Sequence, residues 1–165
     1  MAEARARATV VIGVGNSLRH DDAAGLEAVR RLRTRAERAG VVVCEQQGEC
    51  LGLLAQWEGA GAVVLVDAIH SGRAPGTIDR LDASAMALPA ELVGSSSTHA
   101  VGIGEAIELA RALDRLPARV VVFGVEGRCF SAGEGLSEQV RAAIPALADA
   151  AVQEALRLAG RSATG

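Results

Sequence analysis

The sequence predicts an α/β fold, one domain in which a mostly parallel, twisted sheet of about five strands is covered by helices on both faces. Three observations carry this reading. The apolar runs are short and rich in valine, as in Val10-Val11-Ile12, Val41-Val42-Val43-Cys44 and Ala62-Val63-Val64-Leu65-Val66, which is how strands covered on two sides read. Half of the residues are apolar, yet only Trp57, Phe123 and Phe130 are aromatic, so the core must be built from Val, Leu, Ile and Ala. Gly13-Val14-Gly15 follows the first run directly, and glycine there lets a parallel strand turn sharply into a closely packed helix. The 165 residues suit a single domain with a real core, spanning the whole chain, with residues 1–8 and 160–165 expected to fray.

Each element follows from its local pattern. After the first strand, the segment from Asp22 to about Arg38 places Leu26, Val29 and Leu32 at three-residue steps among Arg30, Arg31, Arg33 and Arg35, an amphipathic helix lying on a sheet. Gly40 ends it, and residues 41–44 read as a second buried strand. Residues 46–49 form a loop, with Glu49 a first-turn charge for a short helix from Cys50 to about Glu58. The run 62–68 is a third strand covered on both faces, with Asp67 at its C-terminal end. Residues 70–76 are turn-rich, with His70 exposed, and residues 77–81 alternate like an edge strand.

Residues 82–94 read as a surface excursion. A serine or threonine within 95–98 caps a helix running from Val101 to about Leu113. Residues 119–125 form a further buried strand, ended by Glu126-Gly127-Arg128, and a flexible glycine loop at 131–135 leads to a helix start at 136–138. Pro145 is expected to reset that helix, because proline suits a first turn and not an interior; the last helix then ends near Leu158.

Charge and composition exclude several classes. The formal net charge is −3 and the chain has no lysine, so it lacks the electrostatic footprint of a nucleic-acid binder and the Gly/Lys features of a phosphate-binding loop. No apolar run approaches a membrane span and the first residues carry no apolar signal core, which points to the cytoplasm. Cys44, Cys50 and Cys129 are an odd number without a Cys-x-x-Cys pair, arguing against a disulfide framework or a cysteine zinc site; they are expected to be ordinary reduced thiols. His-Glu-x-x-His, Gly-x-Ser-x-Gly and Asp-Thr-Gly are all absent, which disfavours the standard hydrolases.

The chemistry-bearing residues collect at one place. Gly13-x-Gly15 is followed by Leu18 where a dinucleotide fingerprint needs a third glycine, and adjacent Asp21 and Asp22 would repel a diphosphate. One aspartate is enough to cap a helix; the second needs another reason, most simply that it faces the cleft at the sheet's C-terminal edge. Asp67 reaches that same edge if its strand is parallel to the first. His99 sits at a helix start, where a neutral imidazole, the metal-binding form, is favoured. Asp22, Asp67 and His99 together make an oxygen/nitrogen set suited to nickel, zinc or cobalt with open positions.

These motifs, with their order and spacing, resemble those of the hydrogenase maturation endopeptidase family. The resemblance rests on Gly13-Val14-Gly15-Asn16-Ser17-Leu18-Arg19-His20-Asp21-Asp22, Val66-Asp67-Ala68, Pro75-Gly76-Thr77-Ile78, the serine-rich approach to His99 and Gly135-Leu136-Ser137. It implies an endopeptidase that removes a C-terminal extension from the nickel-loaded precursor of a nickel-iron hydrogenase large subunit. It implies Asp22, Asp67 and His99 as metal-binding positions and Asp22 and Asp67 as the catalytic carboxylates. Nickel would be supplied by the substrate, other divalent metals being possible in isolation, and the protein would be a monomer that docks transiently. The chain departs from the family's habit at Ala23-Ala24-Gly25, at Thr98 and at His20, the last an additional metal or substrate contact in one reading. The competing reading is a non-catalytic, metal-sensing assembly chaperone for the same large subunit.

Overall fold

The structure, a computed structural model, describes residues 8–85, 88–89 and 102–162. Five strands, β1 (Thr9–Gly15), β2 (Val42–Gln47), β3 (Ala62–Ile69), β4 (Ile78–Asp82) and β5 (Arg119–Glu126), form one sheet in the order β2-β1-β3-β5-β4. All neighbours are parallel except β4, which runs antiparallel to β5. Four helices cover it: α1 (Ala24–Arg38), α2 (Gly52–Gln56), α3 (Ile103–Ala112) and α4 (Glu138–Ser162). This is the single α/β domain with a mostly parallel sheet that the short valine-rich runs predict.

The period-two alternation of the strands divides the core into two layers. Val11, Val64, Val66, Val121 and Phe123 pack with Val29, Leu32, Leu147 and Ala151 of α1 and α4. Val10, Ile12, Val63, Leu65 and Val122 pack instead with Leu53 of α2, Trp57 beyond it, and Ala106 and Ile107 of α3. Asp67, two residues after Leu65 on the same strand face, therefore belongs to the α2/α3 side.

Several expectations are corrected by packing. The segment 41–44 is not a buried strand: β2 is an edge strand with Val43 alone in the core, and it continues through Gln46 and Gln47, which were expected in a loop. Its outer side is braced by Glu45, which accepts from Arg30 Nε at 3.1 Å and Nη2 at 2.8 Å. Glu49 lies before α2, not in its first turn. The first helix does not begin at Asp22; a 3-10 turn (His20–Ala23) precedes α1.

Pro145 does not reset the last helix. α4 runs unbroken through it for 25 residues and continues past Gly160 to Ser162, because Val140, Ile144, Leu147, Ala151, Ala155 and Leu158 keep one apolar stripe against the sheet. Residues 82–94 are not wholly a surface excursion, since Ala83 and Leu88 are buried under α3. Gly102 stands at the N-cap of α3, its N–H donating to Glu105 Oε2 at 2.6 Å; the Ser/Thr cap expected within 95–98 lies outside the described residues, as do residues 1–7 and 163–165, where fraying was expected. No helix among the described residues is long and apolar enough to cross a membrane.

Candidate active site

The site begins with close packing around glycine. A Cβ on Gly25 would stand 2.2 Å from Val66 O and 2.4 Å from Val14 O, and one on Gly15 would stand 1.9 Å from Asp22 O. Only glycine lets the start of α1 lie this close to the ends of β1 and β3. The β1–α1 connection is then tied internally: Asn16 N donates to Asp22 O at 3.2 Å, Asn16 Oδ1 accepts from Leu18 N at 2.9 Å, and Asp22 N donates to Arg19 O at 3.0 Å. Because β1 and β3 are parallel, Asp22 and Asp67 leave the sheet at the same C-terminal edge, where ligand sites of open α/β sheets form.

The two carboxylates feel one another. Burial, reinforced by the charge of Asp22, pushes the Asp67 carboxyl well above the usual carboxylate range, although Ala68 N donates to its Oδ1 at 2.8 Å and opposes the shift. A carboxyl held in this way takes up a proton readily. It also gains from a cation brought to the pair, which would relieve the same repulsion. The pair supplies carboxylate oxygens, a donor chemistry that suits a divalent cation. Among the described residues no group of three or more His, Cys, Asp or Glu side chains is arranged to hold a metal ion. His99, the third expected ligand, lies outside the described residues.

Asp21 does something different from its neighbour, and neither acts as a side-chain cap on the helical turn. Asp21 is fully buried and accepts four hydrogen bonds: from Arg128 N (2.8 Å), Cys129 N (2.9 Å), Ser137 N (2.7 Å) and Ser137 Oγ (2.8 Å). Burial alone would raise its pKa, but these bonds outweigh it and hold the carboxyl below its ordinary value. The loop between β5 and α4, expected to be flexible, is thus anchored to the turn that carries Asp22. Gly133 N donates to Leu18 O at 2.9 Å and His20 N to Gly133 O at 2.9 Å, completing the seam.

The remaining candidates separate clearly. His20 has its Nδ1 3.0 Å from Gly135 O, so the ring is engaged with the β5–α4 loop. His70 is exposed, its ring edge-on to Phe130 with centroids 5.5 Å apart. All three cysteines are free thiols. Cys50 is buried in the turn that precedes α2; burial first, then the charges of Asp67, Asp22 and Glu105, push its thiol up to about 12. A thiol that stays protonated at neutral pH is not a nucleophile. Glu126, read from sequence only as a strand end, is buried and accepts from Ser71 N, Ser71 Oγ (2.7 Å) and Gly72 N (3.0 Å), fixing the loop that leaves β3. Its signal was an acidic residue closing an otherwise apolar strand.

The comparison that decides the family is a match of residues 26–154 to the model described as hydrogenase maturation protease. The chain belongs to that family. The matched stretch includes Asp67 and His99 and begins just after Asp22. Membership makes the chain a peptidase, in keeping with a carboxylate pair at the sheet edge. Among relatives of the family, a hydrogenase expression/formation protein HupD from Rhodobacter capsulatus is 29% identical over 150 residues, covering 90% of this chain and 69% of that protein. The hydrogenase maturating endopeptidase HybD from E. coli superposes with a TM-score of 0.72 at 25% identity, covering 91% of this chain and 92% of that one. A solution structure of an endopeptidase from Escherichia coli gives a TM-score of 0.74 at 27% identity, with 91% and 92% covered. The family's fold is thus shared over nearly all of the chain.

Proposed function

We propose that this protein removes a C-terminal extension from the nickel-loaded precursor of a nickel-iron hydrogenase large subunit in the cytoplasm, docking transiently as a monomer. It reads the precursor's nickel through Asp22, Asp67 and His99. The observation that carries the reading is the delivery of Asp22 and Asp67 to one sheet edge, close enough that the charge of one raises the proton affinity of the other.

The chemistry asked of these residues is modest. A metal bound in the substrate polarises the carbonyl beside it as a Lewis acid. A carboxylate at the same edge accepts a proton from the attacking water and returns it to the leaving amine. Either Asp22 or Asp67 can fill that role, the other facing the metal. An apo precursor, lacking the charge that draws the carboxylate pair, is left uncut, so the metal marks substrate readiness.

The test is intact mass spectrometry of the precursor after incubation with this protein. A single loss of a short C-terminal peptide is expected with nickel-loaded precursor, none with nickel-free precursor, and none with the Asp22→Asn or Asp67→Asn variants. Stable complex formation without any mass loss would replace the protease by the assembly chaperone. Cutting at the wild-type rate by both variants would discard the carboxylate assignment.

A further inference from the structure

Two exposed leucines stand on the loops that leave the sheet at the edge of Asp22 and Asp67. β1 and β2 are parallel neighbours that end together, Gly15 in register with Gln47. Leu18 follows β1 and is 60% exposed; Leu51 follows β2 and is 43% exposed. Single apolar side chains on a surface are ordinary. These two differ in how firmly their loops are held.

Each loop is strapped by a side-chain amide at the end of its strand. Asn16 Oδ1 accepts from Leu18 N at 2.9 Å, and Leu18 O accepts from Gly133 N at 2.9 Å, so both backbone groups of Leu18 are engaged. Gln46 Nε2 donates to Glu49 O at 2.8 Å and to Gln47 O at 3.2 Å. The same amide lies against Gly52, the residue after Leu51, where a Cβ would stand 2.6 Å from Gln46 Oε1. Ser17 Oγ donates to Gln47 Oε1 at 3.1 Å and joins the two loops. A leucine on a mobile loop folds back onto nearby apolar surface, whereas one on a strapped loop stays in water until another apolar surface covers it.

We propose that Leu18 and Leu51 form an apolar rim on which the large-subunit precursor docks, through an apolar patch of its own surface beside the bond that is cut. The inference rests on the proposed function and adds a source of affinity to it. The connection that carries Leu18 also carries Asp22, and Cys50, next to Leu51, feels the charges of both Asp67 and Asp22. A polypeptide bound at the carboxylate pair therefore lies against both loops. A second copy of this chain is a poorer occupant, because a two-fold interface sets the same patch against itself and would bring two pairs of carboxylates face to face. Contacts made equally before and during the reaction lower KM and leave kcat alone. The rim thus serves affinity and the carboxylates serve the cut.

The experiment follows steady-state processing of nickel-loaded precursor by wild type, Leu18→Ser, Leu51→Ser, the double variant and Leu113→Ser. Leu113, 52% exposed at the end of α3, is the control, since the chain there turns back toward the start of β5 at the opposite edge of the sheet. Each rim substitution should raise KM by about fivefold or more, and the double variant by about tenfold or more, with kcat within about twofold. Leu113→Ser should change neither constant, and Leu18→Met, apolar and of similar volume, should restore KM. A double variant that melts with wild type and keeps its KM within about twofold overturns the rim, as does a fall in kcat at unchanged KM. Should the double variant fail to fold, the single variants decide by the same criteria. Leucine-dependent dimerisation of wild type in gel filtration would make the occupant a second copy and overturn the proposal. If wild type binds nickel-loaded precursor without cutting it, the proposed function falls while the rim is judged by Kd: weakening of about tenfold in the double variant upholds it, and an unchanged Kd overturns it. No binding by wild type overturns both.

Discussion

Asp21 and Ser137 lie 116 residues apart in the chain and are joined twice, Ser137 N donating to Asp21 Oδ1 at 2.7 Å and Ser137 Oγ to Oδ2 at 2.8 Å. With the bonds from Arg128 N and Cys129 N, this buried carboxylate closes the β5–α4 loop onto the turn that presents Asp22. Asp21→Ala would leave three backbone N–H groups without their acceptor. Each unmade buried bond costs about 1–3 kcal/mol, so the expected loss is roughly 3–5 kcal/mol after relaxation, read as a lower urea midpoint. Asp21→Asn should lose less, since one oxygen still accepts from Ser137. A midpoint unmoved in both variants would mean that the loop holds itself.

Glu154 supplies an acid-sensitive tie between α4 and β4. Burial by itself would raise its pKa, but hydrogen bonds and charge from Arg157 and Arg80 outweigh that and lower it; Arg80 Nη2 stands 2.9 Å from its Oε1. A carboxylate lowered in the folded state adds stability above its unfolded value of about 4.3, and that stability is lost as pH falls through the folded value. Glu154→Gln should therefore be less stable than wild type by about 1 kcal/mol at pH 7, with the gap closing below about pH 4. A gap independent of pH in parallel urea titrations would refute the ion-pair origin.

Pro145 sits seven residues inside α4 and has no N–H to return to the carbonyl of Arg141. Proline in a helix interior is about 3 kcal/mol less favourable than alanine, an upper bound here because the helix has already adapted around it. Pro145→Ala is expected to stabilise the protein by about 1–3 kcal/mol, seen as a raised thermal midpoint. An unchanged or lowered midpoint would show that the ring's packing against neighbouring side chains offsets the missing bond.

What the sequence shows and hides follows from the range of the interaction concerned. β1, β3 and β5 were legible because a strand covered on both faces must be apolar throughout. The extent of β2 was not, since an edge strand needs only Val43 inside and can carry Glu45, Gln46 and Gln47 without penalty. The helix through Pro145 was misread because local propensity argues for a break, whereas the apolar stripe on either side of the proline is held by the sheet. At the site, parallel strands placed Asp22 and Asp67 together as their sequence positions suggested. The separate task of Asp21 was hidden, because its partners are backbone amides more than a hundred residues away and backbone amides leave no mark in a sequence.

Asp67 should be more costly to the fold than to replace. Its carboxyl is raised well above the usual range by burial and by Asp22, so at neutral pH the folded protein either holds a proton on it or tolerates two neighbouring charges. Asparagine has nearly the same shape and lacks the charge, and its side-chain oxygen can still accept from Ala68 N. Asp67→Asn is thus expected to gain roughly 0.5–2 kcal/mol of stability, the scale of a single stabilising substitution, with lost function as its cost. The same change removes a carboxylate from the proposed proton transfer, which should lower precursor processing by about a hundredfold or more. The two readouts, a urea midpoint and a processing rate on nickel-loaded precursor, must move in opposite directions. A variant that lost stability and activity together would mark Asp67 as a structural carboxylate, and the catalytic role would pass to Asp22.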